Sequence, residues 1–288
     1  MRDDFHLSEL CEALGLSRSG YYARQTYRPG PRFEQNQRLL EPMQMIHHHR
    51  HTRSYGSPRM THELRGLGLV CSENRIARLM RSEGMRARPR KPFRPKTTRT
   101  DHAAHPSPNL LAAASPPRRP GTHLVSDITY IPTREGWLYL ALVIDLFSRS
   151  ILGWKLSDSL QAEVVTGALQ DALATGLIVQ GALFHSDRGC QYSASQTRQL
   201  LARHGLCQSM SAAGYCYDNA YAESAFASLK AELPNDGQPF ASKRAAKSAL
   251  FDYLETFYNR TRRHSALGYQ SPRAFLNNYF QNQNPSLN

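Results

Sequence analysis

The sequence predicts two regions of different class, an all-α basic region over residues 1–100 and an α/β domain over residues 121–282. Apolar residues recur at helical spacing in the first region, and strand-like and helix-like segments alternate in the second. Charge is also divided unequally: residues 1–120 hold 22 lysines and arginines against 10 acidic residues, whereas residues 121–288 hold 14 against 13. A chain of 288 residues is long enough for two domains.

The basic region is predicted to begin with short helices. Residues 7–24 fit two helices separated by a turn at Gly15, which is compatible with a helix-turn-helix and equally with an ordinary helical hairpin. A longer helix is expected over 33–50. A second helical pair is expected over 57–67 and 72–83, so the whole region fits a helical DNA-binding unit of the helix-turn-helix type.

Two groups of basic side chains in this region are candidate DNA contacts. One group falls near one face of the helix after Ser72, where it can reach DNA or form a solvated face: Arg75, Arg78 and Arg81. The other lies in residues 86–99, where prolines prevent a helix and leave an extended strap suited to a phosphate backbone. The strap includes Arg86, Arg88, Lys91, Arg94 and Lys96. Residues 101–120, rich in alanine, proline and serine, are predicted to be a linker.

The α/β domain is predicted to begin with three strands separated by turn signals, at 123–131, 137–147 and 150–157. A helix, a strand, a helix and a last strand follow, at 162–175, 182–186, 194–204 and 207–210. Helices are then expected around 219–230, over 242–260 and from Ser271 onward. Such alternation is typical of layered α/β folds.

Three carboxylates of this domain lie in three different predicted elements. Asp127 lies in a strand, Asp187 directly follows a short strand, and Glu223 lies early in a helix, 36 positions after Asp187. Carboxylate oxygens are the donors that Mg²⁺ prefers, and two such ions can clamp the attacking and leaving oxygens of a phosphoryl transfer. The pattern therefore predicts a site for two Mg²⁺ ions, which Mn²⁺ can replace. Asp145, also in a strand, is expected to be structural.

Short motifs in a fixed order carry a resemblance to a known family. They are Tyr55-Gly56-Ser-Pro-Arg59, Asp127-Ile-Thr-Tyr-Ile131, Val143-Ile-Asp-Leu-Phe-Ser-Arg149, His185-Ser-Asp-Arg-Gly189, Cys216-Tyr-Asp-Asn-Ala220 with Glu223, and Arg262-Arg263-His264. In these motifs the chain resembles the DDE transposases of the retroviral-integrase superfamily. More narrowly, it is similar to the second-frame protein (OrfB) of IS-three-family insertion sequences. Each motif alone is weak, whereas the ordered set covers most of the chain.

The resemblance implies a ribonuclease-H-like integrase core, a mixed five-stranded sheet with flanking helices. Asp127 would lie on the central strand, and Glu223 on a helix packed across the sheet. It also implies DNA cleavage and strand transfer at insertion-sequence ends, with the three carboxylates as catalytic metal ligands. Further DNA contacts are expected from neighbours of these carboxylates: His185, Arg188, Asn219 and Lys230. The chain departs from the family at Ala212-Ala213, where a basic pair is usual, and this removes two positive charges.

The expected partner is double-stranded DNA, both as transposon ends and as target. Bringing two ends together suggests a homo-oligomer on DNA. The family resemblance also implies a first-frame protein, or fusion with one, that supplies end recognition. A net charge of +13 and a pI of 9.8 agree with a polyanionic partner.

The composition argues against a membrane or secreted protein. No run reaches the roughly 18–20 apolar residues of a membrane helix, and the five cysteines show no CxxC spacing. We therefore expect a cytoplasmic protein with reduced cysteines, and the family resemblance implies a bacterial protein associated with the nucleoid. Two alternatives to a transposase stay open: a non-catalytic DNA-binding regulatory relic, and a ribonuclease-H-type nuclease that hydrolyses without joining.

Overall fold

A computed structural model of the chain describes residues 6–26, 28–87, 107–211 and 220–283. The basic region contains the predicted helices, which are α1 (Leu7–Ala13), α2 (Arg18–Gln25), α3 (Pro31–His48), α4 (Ser57–Gly66) and α5 (Glu73–Ser82). Helices α3, α4 and α5 share a small apolar core that includes Met43, Met60, Leu64 and Ile76. None of the helices in the described ranges is long and apolar enough to cross a membrane.

A mixed sheet of five strands forms the centre of the second region, which confirms the predicted α/β class. The strands are β1 (His123–Thr133), β2 (Gly136–Asp145), β3 (Ile151–Ser157), β4 (Leu183–Ser186) and β5 (Cys207–Met210), in the spatial order β3-β2-β1-β4-β5. Strands β1, β2 and β3 pair antiparallel, whereas β4 pairs parallel with both β1 and β5. Strand β1 is therefore central, as the resemblance implied.

Helices cover both faces of the sheet, because side chains alternate between the faces along each strand. Leu124 and Val143 pack with α6 (Ala162–Ala174) and α8 (Ser195–Arg203) on one face. Val125 and Leu142 pack on the other face, against α9 (Ala220–Glu232), α10 (Lys243–Phe251) and the π-helical segment Asp252–Tyr258. The same region also contains α7 (Cys190–Ser193) and the C-terminal α11 (Pro272–Gln283).

The predicted helix over 242–260 is confirmed as helical, although its geometry changes along its length. It is α-helical only as far as Phe251 and then continues as the π-helical segment to Tyr258. Both parts bury apolar side chains at similar spacing, so the sequence pattern does not distinguish them. Such wider turns are often found near functional or interface positions.

Part of the predicted linker lies against the sheet. The backbone N–H groups of Leu110 and Leu111 both donate to Ser209 Oγ in β5, at 2.9 and 3.2 Å. The N–H of Met210 donates to the carbonyl of Pro108 at 3.3 Å. Residues 107–111 therefore line the β5 edge, while residues 101–106 lie outside the described ranges. The linker boundaries stay a prediction.

Asp145 has the structural role that the sequence suggested. Its side chain is fully buried and accepts hydrogen bonds from Ser148 N and Ser148 Oγ, at 2.8 and 2.6 Å. It also accepts a hydrogen bond at 3.0 Å from the N–H of Gly121, which lies just before β1. These three bonds satisfy the buried carboxylate and fix the turn between β2 and β3 to the start of β1.

Gly153 tests the packing of α6 on the sheet. A Cβ at this position would lie 2.2 Å from the carbonyl oxygen of Ala168 and 2.4 Å from Ala172 N, both of which are helix backbone. We expect Gly153→Ala to lower the free energy of unfolding by about 1–3 kcal/mol, because α6 must move away. Urea unfolding measures this change. Gly30→Ala is the control: a Cβ there has no neighbour within 4 Å, and a loss as large as that of Gly153→Ala would contradict the assignment.

Candidate active site

Two of the three predicted carboxylates lie at the same level on neighbouring parallel strands, Asp127 within β1 and Asp187 directly after β4. Val125 in β1 is paired with His185 in β4, and Asp127 and Asp187 each come two residues after this pair. Because parallel strands run in the same direction, the two carboxylates come side by side, midway along β1 and just past the end of β4. Asp127 Oδ1 accepts from Ile128 N at 2.7 Å, and Asp187 Oδ1 accepts from Gly189 N at 2.9 Å.

Glu223 lies in the first turn of α9, the helix that packs across β1. Four apolar side chains of α9 are buried towards the sheet: Ala222, Ala225, Phe226 and Leu229. Glu223 itself is exposed. The helix therefore holds this carboxylate on its solvent-facing side, close enough to Asp127 to influence its pKa.

The site concentrates negative charge in a poorly solvated place. Burial and the nearby Asp187 carboxylate raise the pKa of Asp127 to about 8, and Glu223 raises it further while Lys230 opposes the shift. Burial also raises the pKa of Asp187, against the opposing hydrogen bond from Gly189. The ionised forms of both carboxylates are therefore destabilised by the loss of water, and that of Asp127 also by the neighbouring carboxylates. A bound cation would relieve this penalty.

The oxygen donors fit a hard divalent cation such as Mg²⁺, which prefers carboxylates. Asp127 and Asp187 from the sheet and Glu223 from α9 are the residues that could hold it. Within the described ranges, however, no three His, Cys, Asp or Glu side chains lie close enough together to form a finished metal cluster. Residues 212–219, directly before α9, lie outside the described part of the chain.

Lys230 lies on α9 two turns after Glu223 and is partly buried. Burial lowers its pKa to about 8, and the neighbouring Asp127 carboxylate partly offsets this effect. The predicted placement of Lys230 on the carboxylate side of α9 agrees with this coupling. The positive charge of Lys230 in turn lowers the pKa of Asp127 and so opposes the effect of burial and of the other carboxylates.

His185 is not available at the surface, so the predicted DNA contact of its side chain is not supported. The residue is fully buried, and its ring nitrogens lie 2.8 Å from Ser209 Oγ and 3.1 Å from Ser211 Oγ. These contacts join β4 to β5. Arg188 is half-buried, and its Nε donates to the carbonyl of Ser211 at 2.8 Å. Asn219, also a predicted DNA contact, lies outside the described residues.

Tyr192 contacts the residue next to Asp127, a role that the sequence did not reveal. Its hydroxyl lies 3.0 Å from Ser126 Oγ, next to Asp127, and the ring is buried against Phe184. Burial raises the pKa of Tyr192 well above its ordinary value, so the hydroxyl stays neutral. The Gln191-Tyr192 pair after the second carboxylate was the available signal.

Only part of the predicted basic face of α5 is exposed to solvent. Arg75 is used inside the fold: its Nε donates to Asn36 Oδ1 at 2.8 Å and its Nη1 to Gln35 Oε1 at 3.3 Å, which ties α5 to α3. Arg75 is therefore a structural bridge in this fold. The exposed members of the predicted set are Arg78, Arg81 and Arg86. Arg88, Lys91, Arg94 and Lys96 lie outside the described residues.

Three family models match the chain. An integrase core domain matches residues 117–216, which include Asp127 and Asp187, and a second integrase core model matches residues 204–272, which include Glu223. A helix-turn-helix-like domain matches residues 34–93. That range contains α3, α4 and α5, so the helix-turn-helix-like unit is this trio, whereas residues 7–24 form the two predicted helices outside it.

The chain is similar over nearly its whole length to curated proteins of insertion sequences. It is 39% identical over 277 residues to "Transposase InsF for insertion sequence IS3A" of Escherichia coli K12, covering 95% of each chain. It is 38% identical over 272 residues to "Insertion element IS600 uncharacterized 31 kDa protein" of Shigella sonnei, covering 94% of this chain and 99% of that protein. Among solved structures, the HTLV-2 integrase catalytic core domain in complex with magnesium aligns at 13% identity and a TM-score of 0.40, covering 55% and 97%.

The raised pKa of Asp127 gives a pH-dependent prediction for the metal-free protein. Its unfolded pKa is about 3.9, so between pH 4 and 8 the folded state retains a proton that the unfolded chain has lost. Wild-type stability should therefore fall as pH rises through this window, by at most about 1.4 kcal/mol per pH unit. Asp127→Asn should lack this loss and be the more stable form at pH 8, with little difference at pH 4.

Thermal unfolding in the presence of a chelator, measured from pH 4 to 8, checks this expectation. Adding Mg²⁺ at pH 8 should stabilise the wild type more than the variant, because only the wild type gains a ligand for its uncompensated charge. Parallel pH profiles for the two proteins would show that Asp127 is not under electrostatic stress.

Proposed function

Because this chain belongs to the IS3 family of insertion-sequence transposases, we propose that it cleaves DNA at the ends of its element and joins the freed 3′ ends to new DNA. The observation that carries this proposal is the shared register of Asp127 and Asp187 beneath α9, where their charges repel one another. Such an arrangement favours binding of divalent cations and a phosphodiester substrate. The reaction class is polynucleotidyl transfer.

The three carboxylates Asp127, Asp187 and Glu223 are proposed as ligands of two Mg²⁺ ions, for which Mn²⁺ can substitute. When bound, the metal supplies Lewis-acid stabilisation of the attacking and leaving oxygens. Asp127 is the member of the set whose pKa is raised by both of the other carboxylates. The sheet fixes two of the ligands, while α9 brings the third.

Other residues near the carboxylates are proposed to hold DNA. Lys230 faces the same site from α9 and can neutralise a phosphate near the reacting end. Arg188 keeps its Nε on the Ser211 carbonyl, which leaves the guanidinium tip for a phosphate. Asn219 is retained in the proposal from its position before α9. His185 is not retained, because it is buried between β4 and β5.

The helix-turn-helix-like unit of α3, α4 and α5 is proposed to grip double-stranded DNA, at transposon ends or at the target. Exposed Arg78, Arg81 and Arg86 provide phosphate contacts, and the basic strap of Arg88, Lys91, Arg94 and Lys96 would extend them. A first-frame protein or fusion and a homo-oligomer are further proposed partners, because two ends must be held at once. The reaction would take place on nucleoid DNA in the cytoplasm.

Loss of one carboxylate should remove catalysis without removing DNA binding. We expect Asp187→Asn to lower Mg²⁺-dependent joining of a labelled duplex carrying the element's end by roughly 10²–10³-fold, since metal stabilisation contributes several kcal/mol. Asp171→Asn is the matched control, because Asp171 is an exposed aspartate on α6. Electrophoresis separates joined, nicked and shifted DNA.

Each product of that assay has a distinct meaning. Nicking without joining would replace the transposase by a nuclease, and a shifted but intact duplex with every sample would favour a non-catalytic binder. Equal joining by Asp187→Asn and the wild type would reject the carboxylate site. If the isolated chain is inactive, the same comparison is made with the first-frame fusion.

The exposed arginines of α5 make a separate prediction about DNA affinity. The double variant Arg78→Gln, Arg81→Gln should bind duplex DNA more weakly and reduce the slope of log K against log salt by roughly 2, about 0.9 for each lost phosphate contact. Fluorescence anisotropy between 50 and 200 mM salt, a range in which such contacts change affinity strongly, gives this slope. Arg203→Gln, an exposed arginine on α8, serves as control. An unchanged slope in the double variant would place the DNA elsewhere.

A further inference from the structure

A buried ionic cluster lies at the C-terminal end of α9, the helix that carries Glu223. Glu232, the last residue of α9, is 2% exposed, and Arg262 is equally buried. Arg262 Nε donates to Glu232 Oε2 at 2.6 Å and Arg262 Nη2 donates to Oε1 at 2.8 Å. The Tyr253 hydroxyl adds a third bond to Oε2 at 2.7 Å. Both carboxylate oxygens are thus bound by the core.

The helix-turn-helix-like unit contributes a further group to this cluster. Arg59 of α4 places its Nη1 3.3 Å from Glu232 Oε1, and its side chain is only 18% exposed. The guanidinium carbon of Arg59 also lies 5.1 Å from the ring centre of Tyr55, which is buried in the core formed with α9. A residue of the helix-turn-helix-like unit therefore contacts α9 itself.

The cluster is asymmetric in charge, with two guanidinium groups on one carboxylate. His264 stands 3.1 Å from Arg262 Nη1 and adds no further positive charge, because burial and Arg262 lower its pKa to about 2. A buried carboxylate with two cationic partners is strongly held in position, since leaving either cation unpaired is costly. Movement of Arg59 would therefore change the position of Glu232.

The helix-turn-helix-like unit also contacts the segment that follows Arg262, through hydrogen bonds and a ring stack. Arg263 Nε donates to Glu63 of α4 at 2.7 Å, and the backbone N–H of Arg263 donates to the Tyr55 hydroxyl at 3.3 Å. The rings of His62 and Tyr269 stack with centroids 3.9 Å apart. Helix α4 is thus fixed on both sides of the Glu232 cluster.

Helix α9 connects this cluster with the candidate active site. Glu232 follows Glu223 by nine positions, which in a helix is about 14 Å along the axis. A helix is stiff over this length, so fixing its C-terminal end limits the tilt and rotation of its first turn. Glu223 lies in that first turn.

We propose that the helix-turn-helix-like unit is a positioning element for the catalytic helix: Arg59 seats α4 on Glu232 and thereby sets where Glu223 lies relative to Asp127. The inference deepens the proposed function and rests on it for the role of Glu223. Arg59 acts through Glu232 and is a positioning residue. Binding of DNA to α5 would then influence the position of Glu223 relative to Asp127.

Arg59→Gln tests this proposal, with Arg59→Lys as the conservative variant. Arg50→Gln is the matched control. Arg50, which follows α3, also forms an ion pair with the α/β domain, to Asp252 at 2.9 Å. That pair does not involve α9. Hydrogen exchange of the α9 backbone amides reports the position of the helix without any need for activity. Joining kinetics and DNA affinity are measured on the same full-length proteins.

We expect Arg59→Gln to speed exchange along α9 and to lower kcat for joining by roughly 10- to 100-fold, the cost of a small misplacement of a catalytic group. The KM for DNA should stay near the wild-type value, and Arg59→Lys should recover part of kcat. Arg50→Gln should leave both exchange in α9 and kcat unchanged.

Two results would overturn the proposal. Wild-type exchange in α9 of a folded Arg59→Gln protein would show that Arg59 does not hold the helix. A rise in KM with unchanged kcat would assign Arg59 to DNA binding instead. If neither the wild-type chain nor its first-frame fusion joins DNA, the proposed function fails, whereas the exchange experiment still decides whether α4 positions α9.

Discussion

Parallel pairing of β1 with β4 is the constraint on which the candidate site depends. The pairing extends over only three residue pairs, yet it places Asp127 and Asp187 in equivalent positions beyond the Val125–His185 pair. Strand β1 also pairs antiparallel with β2 along ten residues, which fixes it in the middle of the sheet. The long ladder thus supplies the rigidity that lets a short ladder hold two like charges together.

Helix α9 contains two acidic residues with opposite environments. Glu232 is surrounded by cations and hydroxyls and serves the fold. Glu223 is exposed near other carboxylates and destabilises the ionised form of Asp127. The two ends of the helix thus have different surroundings: the Glu232 end is tied into the core by hydrogen bonds, whereas the Glu223 end lies near carboxylates with shifted pKa values. Shifted pKa values of this kind are a common sign of a functional site.

The sequence predicted the elements of the α/β domain well because their signals are local. Turn signals separate β1, β2 and β3, and the apolar stripe of α6 marks its buried face. Side-chain partners that are distant in sequence were not predictable. Arg75 and His185 have the residue types of DNA contacts, but Asn36 and Ser209 occupy them instead. The ion pair between Glu232 and Arg262 spans 30 positions and follows no periodic pattern.

The contact of residues 107–111 with β5 has a consequence for how copies of this protein can meet. An uncovered outer strand exposes free N–H and C=O groups, which can recruit a strand from another molecule and start aggregation. Here Pro108 accepts from Met210 N, so part of the β5 edge is already occupied by the chain's own segment. The protein thereby covers part of this edge, which lowers the chance that β5 pairs with a strand of a neighbouring copy.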